Sequence, residues 1–196
     1  MDIVAHTLWA GAGVALWQRR AAVPRRTAAW TIGLAALPDV LQMIPVLAWW
    51  GFTGGAFDAV KAFAIAVPGR APDLPASVTQ LAYTLHCLSH SAIVATLATW
   101  LVWRLRGALW LPLLGWWSHI LIDVFTHSSD YFPSPVLFPL TMRGFDGIAW
   151  NTPWFMGLNY LALTAIGAWL LLSGVVRRRS PTHTLRDGPV TRPPGP

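Results

Sequence analysis

The sequence predicts an all-α protein, a polytopic bundle of about five transmembrane helices. Hydrophobic residues make up 55% of the 196 residues and charged residues only 11%, whereas a soluble domain carries about 25% charged residues. Most of the 13 Trp residues fall near the ends of apolar runs, which is typical of tryptophan at a membrane–water interface. Composition therefore excludes an ordinary soluble domain and indicates one integral membrane domain.

Five apolar runs predict the membrane helices, since a helical span needs about 20 predominantly apolar residues. They cover residues 3–17, 28–50, 78–103, 108–126 and 153–176. The first run is short but lacks the basic start of a signal peptide, so we expect a retained helix. Phe57–Val67 is predicted to form a short surface helix. Residues 1–179 thus form the membrane domain, and the Pro-, Thr- and Arg-rich residues 180–196 predict a disordered cytoplasmic tail.

The basic residues predict the orientation of the chain in the membrane. Nine of them follow the first, third and fifth runs, namely Arg19, Arg20, Arg25, Arg26, Arg104, Arg106, Arg177, Arg178 and Arg179. Only Lys61, Arg70 and Arg143 lie in the loops on the other side. Because basic residues accumulate on the cytoplasmic side, we expect the N-terminus outside and the C-terminus in the cytoplasm. This placement explains the net charge of +6 and makes the lipid bilayer, not nucleic acid, the expected partner.

Ionisable residues inside four of the runs predict a buried site. His119 and Asp123 lie four residues apart and therefore share one face of a helix. Ionisable groups are costly at bilayer depth and usually have a function there. A helical rise of about 1.5 Å per residue places them in one layer, in the outer half of the membrane. The predicted metal ligands are His6, Asp39, His86, His90, His119 and Asp123.

Imidazoles and carboxylates at one depth need a common ligand, and a divalent transition metal supplies it. Zinc is the first expectation, manganese and iron are alternatives, and the ligand count is enough for two ions. Such ions activate water and bind phosphoester oxygens, which favours hydrolysis. His127 and Arg143 are the candidates for a catalytic role, Arg143 by binding a phosphate oxygen. Each also has a structural interpretation, His127 as a loop residue and Arg143 as an interfacial arginine.

Four motifs together resemble a known family. They are His6, Leu-Pro-Asp at 37–39, His-Cys-Leu-Ser-His-Ser at 86–91, and Gly-Trp-Trp-Ser-His-Ile-Leu-Ile-Asp at 115–123. The pattern is similar to the YdjM-type, LexA-regulated membrane-bound metal-dependent hydrolases, which are distantly similar to zinc-dependent phospholipase C. Over most of residues 1–140, the resemblance implies the same six metal ligands, a multi-pass bacterial inner-membrane protein, and a phosphoester or lipid-linked substrate. The chain departs from the family at Leu41, where a second carboxylate is frequent, and at Cys87, where a basic residue is usual.

Two other functional classes stay open. A b-type haem electron-transfer protein would use His86, His90 and His119 as axial ligands, but it gives Asp39 and Asp123 no role. A metal or proton transporter would use the same residues as a relay, for which a ladder across the membrane is expected instead of one layer. A Soret band and metal flux in proteoliposomes discriminate between these classes.

Overall fold

The computed structural model describes residues 1–65, 72–129 and 133–179, and this part of the chain is all-helical. The helices are α1 (Ile3–Gln18), α2 (Arg25–Thr53), α3 (Phe57–Ile65), α4 (Ala76–Ser89), α5 (Ala92–Arg106), α6 (Leu113–Thr126) and α7 (Pro153–Arg179). No strand is present in these ranges, so the all-α prediction is confirmed. The predicted disordered tail, 180–196, lies outside the described residues.

Helix α2 is the centre of the bundle, since it packs against α1, α3, α4 and α6. It has 29 residues and ends at Thr53, and the C-cap is Gly54, whose φ of 65° is a left-handed conformation that glycine adopts without strain. Two prolines, Pro38 and Pro45, lie inside it and remove backbone donors from its hydrogen-bond ladder. The helices that carry the predicted site residues are therefore positioned by contact with α2.

Two helices are long and apolar enough to cross a membrane, α2 and the Pro153–Gly174 part of α7. Helices α4 and α5 form a pair bent by 60°, which adds a third candidate if the pair is one broken span. Helix α6 is apolar but has only 14 residues. A membrane protein is thus supported by two or three candidate spans, while the count of five and the orientation stay predictions.

The run predicted over 78–103 is interrupted at its centre, where α4 ends at Ser89 and α5 begins at Ala92. Ser91 is the N-cap of α5, with its Oγ accepting the Val94 N–H at 3.2 Å and donating to the Phe138 carbonyl at 2.6 Å. The Ala92 N–H donates to the Val136 carbonyl at 2.8 Å. The segment between α6 and α7 therefore satisfies the backbone at this bend, and it leaves His90 at the apex.

Helix α6 lies in very close contact with α2 at Gly115. A Cβ atom on Gly115 would lie 1.9 Å from the carbonyl oxygen of Thr31, so only glycine fits at this position. Small residues allow membrane helices to approach closely and gain packing contacts. This contact sets the distance between α6, which carries His119 and Asp123, and α2, which carries Asp39.

Helix α7 fixes the start of α1 by two hydrogen bonds. Tyr160 donates its hydroxyl to the Asp2 carboxylate at 2.8 Å, and Asp2 also caps α1 by accepting the Ala5 N–H at 2.9 Å. One turn further along α1, Trp9 Nε1 donates to Asn159 Oδ1 at 2.8 Å. These bonds place His6, which lies between the two contacts on α1.

The short helix predicted at Phe57–Val67 is confirmed for Phe57–Ile65, and the last two residues lie outside the described ranges. Val60 and Phe63 pack against Val46 of α2 and Ala82 of α4. This apolar cluster closes the end of the bundle next to Asp39.

Candidate metal centre

Four buried side chains form a group that can hold a metal ion. Asp39 comes from α2, His90 from the bend after α4, and His119 and Asp123 from one face of α6. One ligand atom from each lies within 4.8 Å of those of the other three. The fractional exposure of these residues is 5% for Asp39, 1% for His90 and 0% for His119 and Asp123. Four of the six predicted ligands are therefore brought together by three separate elements.

The two imidazoles of this group direct Nε2 towards each other. His119 Nδ1 lies 2.7 Å from the Ala35 carbonyl oxygen, and His90 Nδ1 lies 2.9 Å from that of His86. A carbonyl only accepts, so in both rings Nδ1 carries a proton and Nε2 is the nitrogen that can bind a ligand. Backbone carbonyls hold metal-binding histidines in this tautomer. The two Nε2 atoms are 3.0 Å apart, where facing lone pairs repel unless a cation or a proton lies beside both.

The separation of the nitrogens matches a shared metal ion. With metal–nitrogen bonds of about 2.0–2.1 Å, two imidazoles on one ion have their nitrogens about 2.9–3.4 Å apart, the shorter value for octahedral and the longer for tetrahedral angles. The observed 3.0 Å falls in this range. The imidazoles thus fit a metal site without rearrangement.

The carboxylate of Asp123 completes the inner side of the group. Its Oδ2 lies 3.1 Å from His119 Nε2, 3.2 Å from His90 Nε2 and 3.3 Å from His127 Nε2. This oxygen is buried and makes no hydrogen bond to the described residues. A buried polar atom without a partner is costly, and a cation among these nitrogens would provide one.

Asp39 approaches the same nitrogens from α2. Its Oδ1 lies 3.7 Å from His90 Nε2 and 3.9 Å from His119 Nε2. Oδ1 also accepts a hydrogen bond from Gln42 Nε2 at 3.1 Å, whereas Oδ2 is buried and has no hydrogen-bond partner among the described residues. Asp39 therefore has one oxygen oriented by Gln42 and a second that is available to a ligand.

His6 contacts the group through Asp123. Its Nε2 lies 2.9 Å from Asp123 Oδ1, and its ring stacks on that of His119 with centroids 3.7 Å apart. Asp123 Oδ1 also accepts the Thr126 hydroxyl at 3.2 Å and contacts the amino group of Met1. His6 is thus next to the four-residue group and orients its central carboxylate. Its predicted role as a direct ligand stays a prediction.

The remaining two histidines contact different members of the group, His127 next to Asp123 and His86 next to His90. His127 is buried at the end of α6, with Nε2 facing Asp123, and it belongs to the lining of the centre. His86 is fully buried with its ring centroid 4.0 Å from that of His90. Its ring packs against that of His90, and its backbone carbonyl accepts from His90 Nδ1 and so fixes the tautomer of His90. His86 is outside the four-residue group, and its role as a ligand stays a prediction.

Arg143 lies on the exposed segment between α6 and α7, where its backbone N–H donates to Thr141 Oγ1 at 3.1 Å. Its catalytic role is not tested by these contacts and stays a prediction. Gln42 is the residue that sequence reasoning missed. It follows Asp39 by three residues and so shares its helix face, and this spacing is the signal that could have found it.

A cavity of about 280 Å³ leads to the centre. Its polar lining comes from Asp2, Asp39, Gln42 and His127, and its apolar lining includes Met1, Met43, Phe63 and Trp150. Mixed linings with a few convergent polar groups are typical of small-molecule sites. The centre is therefore accessible to a ligand that has both a polar and an apolar part.

A loop segment caps the end of α6 beside the cavity. The N–H groups of Gly147, Ile148 and Trp150 donate to the last carbonyls of the helix region, those of His127, Phe125 and Thr126, at 2.8, 3.0 and 2.9 Å. These bonds satisfy carbonyls that a helix end otherwise leaves without partners. Because Asp123 and His127 lie on this last turn and its continuation, the cap holds them in place.

Asp146 anchors the same segment through Ser129. The backbone N–H of Ser129 and its hydroxyl donate to Asp146 Oδ1 at 2.8 and 2.9 Å, and these bonds lower the pKa of the Asp146 carboxyl below its ordinary value. The anchor therefore depends on the ionised carboxylate.

We expect Asp146→Asn to lower the melting temperature slightly at pH 7 and by progressively less as the pH falls towards 3. A carboxyl whose pKa is lowered by folding contributes stability above its unfolded pKa of about 3.9, and that contribution is lost as the pH falls through the folded pKa. Thermal unfolding between pH 3 and 7 measures the difference. Ser129→Ala and the double variant form the control cycle, in which the effects should not add. A difference that is constant across this pH range would contradict the expectation.

Comparison with known proteins gives no match to any family model, any curated protein or any solved structure. The resemblance carried by the four sequence motifs is therefore still a prediction. The metal centre is inferred from the geometry of its own side chains.

Proposed function

We propose that the protein is a membrane-bound metal-dependent hydrolase that acts on a phosphoester or lipid-linked substrate. The observation that carries this proposal is the pair of His90 and His119 Nε2 atoms, 3.0 Å apart, with both Nδ1 atoms bonded to carbonyls. Two carboxylates accompany the pair, and one of them, Asp39, lines a cavity. Asp39, His90, His119 and Asp123 would hold the ion, with zinc first and manganese or iron as alternatives.

Each side chain has a distinct task in such a hydrolase. A divalent ion bound there would act as a Lewis acid on a phosphoryl oxygen and lower the pKa of an attacking water. Gln42 orients Asp39 and lines the cavity with its Oε1, which is buried and makes no hydrogen bond to the described residues. His127 lines the same cavity and can hold or transfer a proton at Nε2. Thr126 and His6 keep the Asp123 carboxylate oriented.

A second ion would extend this arrangement. The ligand count allows two ions, and Asp123 has its two oxygens directed to different histidines, Oδ1 to His6 and Oδ2 to His90 and His119. His6 and Asp123 would be the residues available to a second ion, which would help to bind phosphoester oxygens. Metal analysis at saturation gives the number.

The same distances argue against a haem between His90 and His119. Two imidazoles on opposite sides of a haem iron have their nitrogens about 4 Å apart, because each metal–nitrogen bond is about 2 Å, and a porphyrin plane must fit between the rings. Here the nitrogens are 3.0 Å apart and the ring centroids 4.8 Å apart. A compact group within 4.8 Å also favours a binding site over a relay across the membrane.

We further propose the membrane placement that the sequence predicts. Five spans, an outside N-terminus and a bacterial inner-membrane location follow from the apolar runs, the basic loops and the family resemblance. The apolar helices α1 and α6 pack along α2 and would complete the bundle. The centre would then lie in the outer half of the membrane.

The proposal is tested with purified protein in lipid nanodiscs. We expect one or two transition-metal ions per chain, and hydrolysis of a phosphodiester that chelation abolishes and added zinc, manganese or iron restores. His119→Ala should lower activity by at least about a hundredfold. The control is Thr96→Ala on α5, where the threonine hydroxyl only bonds its own helix. Bound metal without hydrolysis of soluble or lipid phosphoesters would reject a hydrolase, and metal flux in proteoliposomes would then favour a transporter.

A further inference from the structure

An open groove lies between α1, α6 and α7, and its volume is about 640 Å³. Its walls are mainly apolar, formed by Trp9, Leu121, Ile122, Phe125, Phe155 and Leu158. The polar groups in the walls are engaged, since Thr126 donates to Asp123 and Asn159 accepts from Trp9. The groove is thus suited to hydrocarbon and offers little to a polar ligand.

The groove and the cavity of the metal centre share a wall. Met1 lines both, and its unbranched thioether side chain is easily rearranged. Thr126 lines the groove and donates its hydroxyl to the Asp123 carboxylate at 3.2 Å. A molecule that lies in the groove is therefore separated from the centre by one side chain.

The position of the groove favours a lipid as its occupant. Leu121, Phe125 and Leu158 are 64%, 56% and 57% exposed, respectively, and they lie on α6 and on α7, which is a candidate membrane span. At such a surface the surrounding medium is acyl chain. The cavity beyond Met1 is also largely apolar, but its lining adds the polar side chains of Asp2, Asp39, Gln42 and His127.

We propose that this groove binds one acyl chain of a phospholipid substrate whose phosphate lies at the metal centre. The proposal rests on the proposed function, because it assigns the phosphoester to the centre. It identifies the substrate class as a membrane phospholipid. The phosphate lies at the metal centre beside the smaller cavity, and the acyl chain lies in the groove between α1, α6 and α7.

We expect the groove to position the phospholipid substrate and to add little to its binding affinity. An acyl chain gains little free energy on moving from the bilayer into an apolar groove, because the lipid tails around it are equally apolar. Holding the chain fixes the phosphate next to the reacting groups, and small misplacements there slow a reaction strongly. The effect should therefore appear in kcat/KM for a lipid and not for a soluble phosphodiester.

Filling the groove tests this inference. Leu158→Trp adds bulk inside the groove, whereas Leu161→Trp makes the same change at a 66% exposed position of α7 outside it. We expect Leu158→Trp to lower kcat/KM for dioleoyl phospholipid by at least about tenfold and to leave cleavage of bis(4-nitrophenyl) phosphate unchanged. Leu161→Trp should change neither. An equal loss on both substrates, or no loss, would overturn the inference.

Photo-crosslinking separates this inference from the proposed function. A phospholipid with a diazirine at the end of its acyl chain is incorporated into nanodiscs, and labelled residues are mapped by mass spectrometry. We expect groove labelling in the metal-loaded protein to fall at least about fivefold in His119→Ala, with labelling at Leu161 unchanged. Metal-dependent groove labelling without hydrolysis would reject the hydrolase and retain the groove. Hydrolysis of the soluble diester with metal-independent labelling would reject the groove alone.

Discussion

Asp123→Asn should abolish high-affinity metal binding. The Oδ2 atom of Asp123 faces three imidazole nitrogens within 3.3 Å, and its Oδ1 atom holds His6 at 2.9 Å. An amide of the same size loses the charge and can present only one oxygen. Loss of a supporting group around a metal typically costs about 10–100-fold in affinity, so loss of this central carboxylate should cost more than about a hundredfold.

The effect on stability separates a metal ligand from a structural carboxylate. A ligand at a hundred times its Kd stabilises a protein by about 2.7 kcal/mol, so chelation should lower the melting temperature of the wild type. Asp123→Asn should show no response to the chelator. Asp58→Asn is the control, because Asp58 is 87% exposed and pairs with Lys61 at 2.5 Å. A chelator response that survives in Asp123→Asn would exclude this carboxylate as a ligand.

Gly115→Ala should disrupt the contact between α2 and α6. The added Cβ would lie 1.9 Å from the Thr31 carbonyl oxygen and 2.8 Å from its carbon. Backbone atoms cannot rotate away, so the helices must separate. Overpacking of this kind costs about 1–3 kcal/mol. Separation also lengthens the 2.7 Å hydrogen bond between His119 and the Ala35 carbonyl, so metal affinity should fall together with the melting temperature.

Gly33→Ala is the matched control on α2. No atom lies within 4 Å of a Cβ at Gly33, and alanine favours a helix over glycine by up to about 1 kcal/mol. This variant should be as stable as the wild type or more stable, with unchanged metal affinity. Thermal unfolding with and without metal measures both properties. If the two alanine variants behave alike, the close approach at Gly115 does not position the centre.

The sequence was sufficient to predict the central part of the site. Spacing of four residues places His119 and Asp123 on one helix face, and the rarity of ionisable residues in apolar runs pointed to Asp39 and His90. The structure confirms these four as one buried group that can hold a metal ion. Their helices are local features, and periodicity and composition report such features well.

The sequence did not predict how each helix is rotated about its own axis. Counting residues along an apolar run gives depth and not rotation, so His86 and His90 were indistinguishable as ligands. The structure places the ring of His86 against that of His90 and outside the four-residue group. The sequence also did not predict the bend at Ser91, because α4 and α5 on its two sides are similarly apolar. The hydrogen bonds that stabilise the bend run from Ala92 and Ser91 to a segment that is distant in the chain.

The distance along the chain between His6 and Asp123 has a consequence for biosynthesis. His6 and Asp123, which form a direct contact, are 117 residues apart in the chain. This contact therefore cannot form until α6 has been synthesised, and α7 is synthesised only afterwards. During that interval Trp9 lacks Asn159 as a partner, and α1 lacks the contact with α7 that later fixes it. The position of His6 on α1 is thus completed only after α7 has been synthesised.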